Sequence, residues 1–232
     1  MSFSRSSTSK ELGWCNQLTY SLFSLANPMS IASTWGTSPE DSGLSYPCDR
    51  LIPHPQDSLY RGVTIDASPQ TVFRWLCQMR VAPYSYDWID NGGRQSPPAL
   101  TPGLQELAVG QEMMRIFQLA DFARNQHLTL RISNSRAQGL FGDIAISYFV
   151  VAKGAKSCRL LVKLVVQHPP GVWGKLMRSL LPRGDLILMR RQLLNFKALA
   201  EASIDPKLGH VDLDGDRERL EIREVEADRL AR

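Results

Sequence analysis

A chain of 232 residues with 43% hydrophobic and 22% charged residues has the make-up of an ordinary soluble globular protein. Its net charge of +4 is small, and no basic stripe interleaves with aromatic residues on a recognisable module, which argues against nucleic-acid binding. The four cysteines, Cys15, Cys48, Cys77 and Cys158, form no CxxC pair; this argues against a zinc site and a disulfide scaffold and suits a reducing cytoplasm. No run approaches the ~20 apolar residues of a membrane span.

Residues 1–58 are dominated by Ser, Thr, Pro and Gly and read as a largely disordered leader. Arg5 and Lys10 precede a weakly apolar stretch, Leu18 to Ala26, which is too short and too diluted for a good signal peptide. Trp14, Tyr20, Phe23 and Trp35 are the residues of this segment able to dock a turn onto the domain that follows.

Order is expected from Leu59. Tyr60 to Asp66 carries Val63, Thr64 and Ile65 as a short strand. Ser68-Pro69 then supplies an N-cap and a proline at the first helical position. Val72, Phe73, Leu76 and Met79 recur at helical spacing, so a helix runs from about Pro69 to Arg80. Gly92 to Gly110 is rich in Pro and Gly and reads as a long irregular connection.

Four strand-like runs follow: Met113 to Phe122, His127 to Ser133, Asp143 to Lys153 and Cys158 to His168. Short turn-rich separators predict antiparallel pairing. From Gly171 the period becomes helical. Val172, Trp173, Leu176, Met177 and Leu180 form one apolar stripe, and Pro182-Gly184 is expected to break or kink the helix. Asp185 can cap the continuation, whose stripe is Leu186, Met189, Leu193, Phe196 and Leu199. Residues 204–232 alternate charges as a helical or disordered tail.

The densest chemical cluster is Tyr84-Ser85-Tyr86-Asp87-Trp88-Ile89-Asp90, three aromatic rings and two carboxylates between a helix and a loop. Tyr and Trp combine a large apolar face with a polar handle, as the wall of a ligand pocket requires. The plainer alternative has these rings plugging the helix-to-loop corner while the aspartates cap turns.

With these residues in view, the chain resembles the SRPBCC superfamily, the START-like and Bet v 1-like proteins that include polyketide cyclases and lipid carriers, and within it a bacterial branch. The likeness rests on Ile65-Asp66-Ala67-Ser68-Pro69, Val72-Phe73-Arg74-Trp75-Leu76, Tyr84 to Asn91, Val109-Gly110, Arg159-Leu160-Leu161 and Gly184 to Leu193, and covers about Tyr60 to Ala202. It implies an α+β helix-grip fold at 59–203: a curved antiparallel sheet wrapped around a long C-terminal helix, with an internal apolar cavity between them. Leu186, Met189, Leu193 and Phe196 would supply the helical wall, and Tyr84, Tyr86 and Trp88 would sit near the mouth.

Arg61, Arg115, Arg131 and Arg159 lie in or beside the strands. An inward arginine would bind a ligand carboxylate, although an outward, solvated arginine is the commoner case for each taken singly. Arg115, between Met114 and Ile116, is expected opposite a buried face and is kept as a ligand-binding candidate together with Tyr148.

The leading functional reading is a binding protein, a carrier or sensor for a small hydrophobic molecule such as a lipid or polyketide. A cyclase or dehydratase is the alternative, with Asp87, Tyr86 and Tyr148 as weak catalytic candidates. A third is a peripheral lipid shuttle that touches membrane through the Trp173 helix and Lys175, Arg178 and Arg183, for which a helix with a solvated face is the plainer explanation. No cofactor is implied and no oligomeric state is indicated. His54, His127, His168 and His210 are scattered, and Asp212, Asp214 and Asp216 fail the calcium-loop pattern because Gly215 is misplaced, so no metal site is expected.

Overall fold

In the computed structural model of the chain, residues 31–203 are described. The β-branched and aromatic runs build β1 (Asp57–Ile65), β2 (Glu112–Met113), β3 (Phe117–Ala123), β4 (His127–Ile132), β5 (Asp143–Ala152) and β6 (Cys158–Gln167). All pair antiparallel in one sheet of order β1-β6-β5-β4-β3-β2. Between Leu119 and Asp121 the register shifts, so β3 advances two residues while β4 advances one. That bulge bends the sheet and transfers the inward position from Leu119 to Phe122.

The helices are α1 (Ile31–Thr34), α2 (Pro39–Ser42), α3 (Pro69–Cys77), α4 (Asp87–Asp90), α5 (Ser135–Phe141) and α6 (Gly171–Ala202). At the start of α3, the Ser68 hydroxyl accepts the Thr71 N–H at 3.2 Å with Pro69 in the first turn, as the sequence predicts. The 32-residue α6 lies against α3 and the inner face of the sheet. Leu193, Phe196, Leu199 and Ala200 meet Leu128, Leu130, Tyr148, Leu160 and Val162 in one core. A sheet wrapped on a long C-terminal helix, reached through strand, helix, irregular loop and antiparallel strands, is the helix-grip fold.

The run expected as one strand from Met113 to Phe122 is broken. Met114 and Arg115 have φ of 47° and 66°, and the Met114 N–H donates to the Met79 carbonyl at 2.9 Å, which pulls the chain out of the ladder. Arg115 therefore sits exposed in a turn and not opposite a buried face. Pro182 does not end the C-terminal helix; α6 runs through it, so Asp185 is no cap.

Order also begins earlier than Leu59. Residues 31–52 form a strap across the outer face of the sheet. Thr34 and Trp35 bridge to Tyr60 and Arg61 at the β1 edge, and Tyr46, Cys48 and Ile52 pack on Ala145, Leu161 and Val165. A few well-placed apolar residues suffice here, and average composition conceals them. The strap lies so close to β1 that a Cβ on Gly36 would stand 2.1 Å from the Gly62 carbonyl oxygen; Gly36 also has φ +71°. Ion pairs Asp41–Arg159 (2.6 Å), Asp49–Lys163 (2.6 Å) and Arg50–Asp121 (3.1 Å) fasten it, and the Cys48 N–H donates to the Ser147 hydroxyl at 2.8 Å. The sheet is thus covered on both faces. Cys15, Trp14, Tyr20, Phe23, the Leu18 to Ala26 stretch, His210, the Asp212–Asp216 segment and the charged tail lie outside the described residues.

Candidate ligand-binding site

Alternation along β5 turns Ile144, Ile146, Tyr148 and Val150 toward α6, and along β6 it turns Leu160, Val162, Leu164 and Val166 the same way. Tyr148 is fully buried, and its hydroxyl donates to Gln192 Oε1 at 2.7 Å. Gln192 in turn donates through Nε2 to the Pro83 carbonyl at 2.5 Å. Burial drives the Tyr148 hydroxyl well above the ordinary phenol range. This chain of bonds pins α6 to the centre of the sheet and to the corner after α3.

Leu193 and Phe196 stand on the inward side of α6 as expected, both completely buried, with Met189 beside them. Leu186 does not. It is half-buried and lies outside the core cluster, because the inward line at that height passes through Asp185 and Met189.

Tyr84 closes the α3 corner. Its ring packs edge-on to Trp75 (6.0 Å) and tilted on Phe196 (5.4 Å), its hydroxyl donates to the Pro97 carbonyl at 3.1 Å, and its carbonyl accepts from Asn195 at 2.9 Å. Its φ of 57° is unusual for a non-glycine residue and is held by those contacts. Tyr86 is half-buried under the Arg191 guanidinium, 6.0 Å from the ring centre. Trp88 points outward and is 68% exposed. The three rings do not converge.

Asp87 serves the loop. Its carboxylate accepts from the Ser96 N–H at 2.8 Å and the Ser96 hydroxyl at 2.6 Å. Asp90 accepts from the Ser85 hydroxyl through Oδ2, whereas its Oδ1 is buried without a partner. Burial pushes this carboxyl up, against the pull of Ser85.

The polar feature that strand-by-strand reasoning placed outward is Arg61. It shares the inward face of β1 with Leu59, Val63 and Ile65. Its side chain is 1% exposed and pairs with Asp185 of α6 at 2.8 Å. It also donates to the carbonyls of Tyr60 (2.8 Å), Ala32 (2.7 Å) and Pro182 (3.3 Å). Burial raises the Asp185 carboxyl and the adjacent guanidinium opposes that rise. The period-2 pattern of β1 contained this signal, since Arg61 falls two residues from both Leu59 and Val63. Arg131 and Arg159 are engaged outward, with Asp143 and Asp41.

Burial within the grip is close to complete from end to end: Tyr148, Leu128, Leu160 and Phe196 are fully enclosed, and Ile144, Val150, Leu164 and Met189 keep only a few per cent of their surface. Met114, Ile116, Ala137, Phe141 and Leu181 are half-buried around this apolar interior. Among the described residues no group of His, Cys, Asp and Glu is arranged to hold a metal, and no helix is long and apolar enough to cross a membrane.

No known family profile and no curated protein matches the chain. Among solved structures, the di-domain aromatase/cyclase BexL from the BE-7585A biosynthetic pathway aligns over 65% of this chain at 11% identity and a TM-score of 0.44; the chain spans 48% of BexL's length. The Zhui aromatase/cyclase from Streptomyces sp. R1128 aligns over 63% of this chain and 94% of its own at 16% identity and a TM-score of 0.42. Norcoclaurine synthase from Thalictrum flavum aligns over 62% of this chain and 93% of its own at 12% identity and a TM-score of 0.37.

Proposed function

We propose that the chain binds a small hydrophobic molecule, as a carrier or sensor, between the sheet and α6. What supports this reading above all is the apolar inner face of β5 and β6, with Ile144, Ile146, Leu160 and Leu164 facing Met189, Leu193 and Phe196 of α6. A ligand that removes about 300 Å² of apolar surface from water on binding gains about 7 kcal/mol before association costs. The enzyme reading has less behind it. The Asp87 carboxylate is taken up by Ser96, the Tyr148 hydroxyl by Gln192, and Tyr86 lies under Arg191. Among the described residues the thiols of Cys48, Cys77 and Cys158 are free and buried, which suits a cytoplasmic setting.

The test is native mass spectrometry of the full chain purified from its own cells, beside Ile144→Trp, which adds bulk to the inner face. A stoichiometric hydrophobic passenger on the parent chain and none on the variant supports the proposal. A passenger retained equally by Ile144→Trp, or displacement of no hydrophobic dye by any of a lipid and polyketide panel, overturns it.

A further inference from the structure

The first half of α6 is apolar on the side where a surface helix should be polar. Its inward line is Gly174 and Met177, both buried, Leu181, packed against the core, and Asp185, paired with Arg61. The opposite line is Val172, Leu176, Leu180 and Ile187, spaced four, four and seven residues, with Trp173 alongside. These residues are 84%, 46%, 50% and 57% exposed, and Trp173 is 43% exposed. The Trp173 indole N–H donates to the Leu140 carbonyl at 2.8 Å, which brings the exposed Leu140 side chain of α5 into the same patch. The stripe that the sequence presents as one apolar line is split, with Met177 inward and Val172, Leu176 and Leu180 outward. A helix apolar on both sides has something else to cover its outer side.

Charge indicates what that is. Lys175, Arg178 and Arg183 are exposed around the stripe, and Arg136 is exposed on α5. The acids of α6 are Asp185, turned inward to Arg61, and Glu201 at the far end, paired with Lys197. Asp57 is the acid that meets this half of the helix, and it is shared by Arg178 and His168. Two copies packed through this face would oppose Lys175 and Arg183 of one to the same cations of the other. An apolar stripe with tryptophan at its end and only cations around it fits an anionic bilayer surface.

We propose that the outer face of α6 from Val172 to Ile187, with Leu140, docks on anionic membrane surface, the stripe entering the headgroup region while Lys175 and Arg183 remain among the phosphates. The face is separate from the inner wall of the grip, so this inference stands apart from the ligand reading.

Sedimentation of the full chain with vesicles tests it. Phosphatidylcholine vesicles containing one-third phosphatidylglycerol should carry the protein down at low salt, and pure phosphatidylcholine should not. Leu176→Glu with Leu180→Glu should abolish the binding. Lys175→Gln with Arg183→Gln should weaken it about tenfold or more, as should high salt. All these substitutions are on exposed positions, and unchanged thermal unfolding shows the variants folded. A protein that stays in the supernatant with anionic vesicles overturns the proposal. So does equal binding by the Leu176→Glu/Leu180→Glu variant. Reversible self-association lost in that variant, with no vesicle binding by the parent, would instead assign the face to a second copy and equally overturn it.

Discussion

Replacing Asp185 by alanine should be among the most costly single changes in the grip. The substitution strands the Arg61 guanidinium, 1% exposed, without its counter-charge at the junction of β1 and α6. Removal of one member of a buried ion pair typically costs about 3–5 kcal/mol, because the remaining charge keeps its desolvation penalty. Three backbone carbonyls continue to accept from Arg61, so the lower part of that range, about 3 kcal/mol, is expected. With a urea dependence of about 1–3 kcal/mol per M, the unfolding midpoint should fall by about 1–3 M without a change in slope. The pair Arg61→Met with Asp185→Leu should recover most of the loss, since an apolar replacement removes both desolvation penalties. A loss below about 1 kcal/mol for Asp185→Ala, or a double variant worse than the single, would refute the assignment of this contact as a buried, desolvated pair.

Tyr148→Phe should cost about 1–3 kcal/mol by leaving Gln192 Oε1 buried without its donor, read by urea unfolding. Its ligand affinity should match that of the parent chain. Arg159 and the Ser38 N–H outweigh burial and hold the Asp41 carboxyl below its usual range, so the strap gains stability above the unfolded value of about 3.9 and loses it as pH falls through the folded one. Hydrogen exchange at Asp41 and Tyr46 should therefore accelerate below about pH 4, and Arg159→Gln should remove that dependence. Burial pushes the thiols of Cys48, Cys77 and Cys158 up to about 11. Peptide mapping should find them unalkylated at pH 8 in the native chain and labelled in denaturant.

The elements with a strict period were legible in the sequence. β4, β5 and β6 fall within a residue of expectation because alternation and turn chemistry agree there. The Ser68-Pro69 start of α3 was equally plain. Periodicity could not choose between the two sides of α6 where both are apolar, as at Leu176 and Met177. It also missed the strap, whose few contacts with Ala145, Leu161 and Val165 depend on partners about a hundred residues away. The 84–90 cluster was correctly picked out as dense, but local sequence does not show that Tyr84 turns in while Trp88 turns out. Arg61 was readable from alternation alone; the base expectation that arginine faces water concealed it.

The strap also decides where the interior can change size. It ties β1 through the close approach of Gly36 to Gly62, β6 through Arg159 and Lys163, β5 through Ser147 and β3 through Asp121. Spreading those strands to admit a larger guest would break bonds on the outside of the sheet as well as contacts within it. The first half of α6 is tied to the rest by side chains alone: Asp185 to Arg61, Arg178 to Asp57 and Trp173 to the Leu140 carbonyl, with the Gln192 clamp farther along. Moving that half-helix to enlarge the interior would have to break the buried Arg61–Asp185 pair, so the same contact that secures the fold also fixes the size of what it can hold.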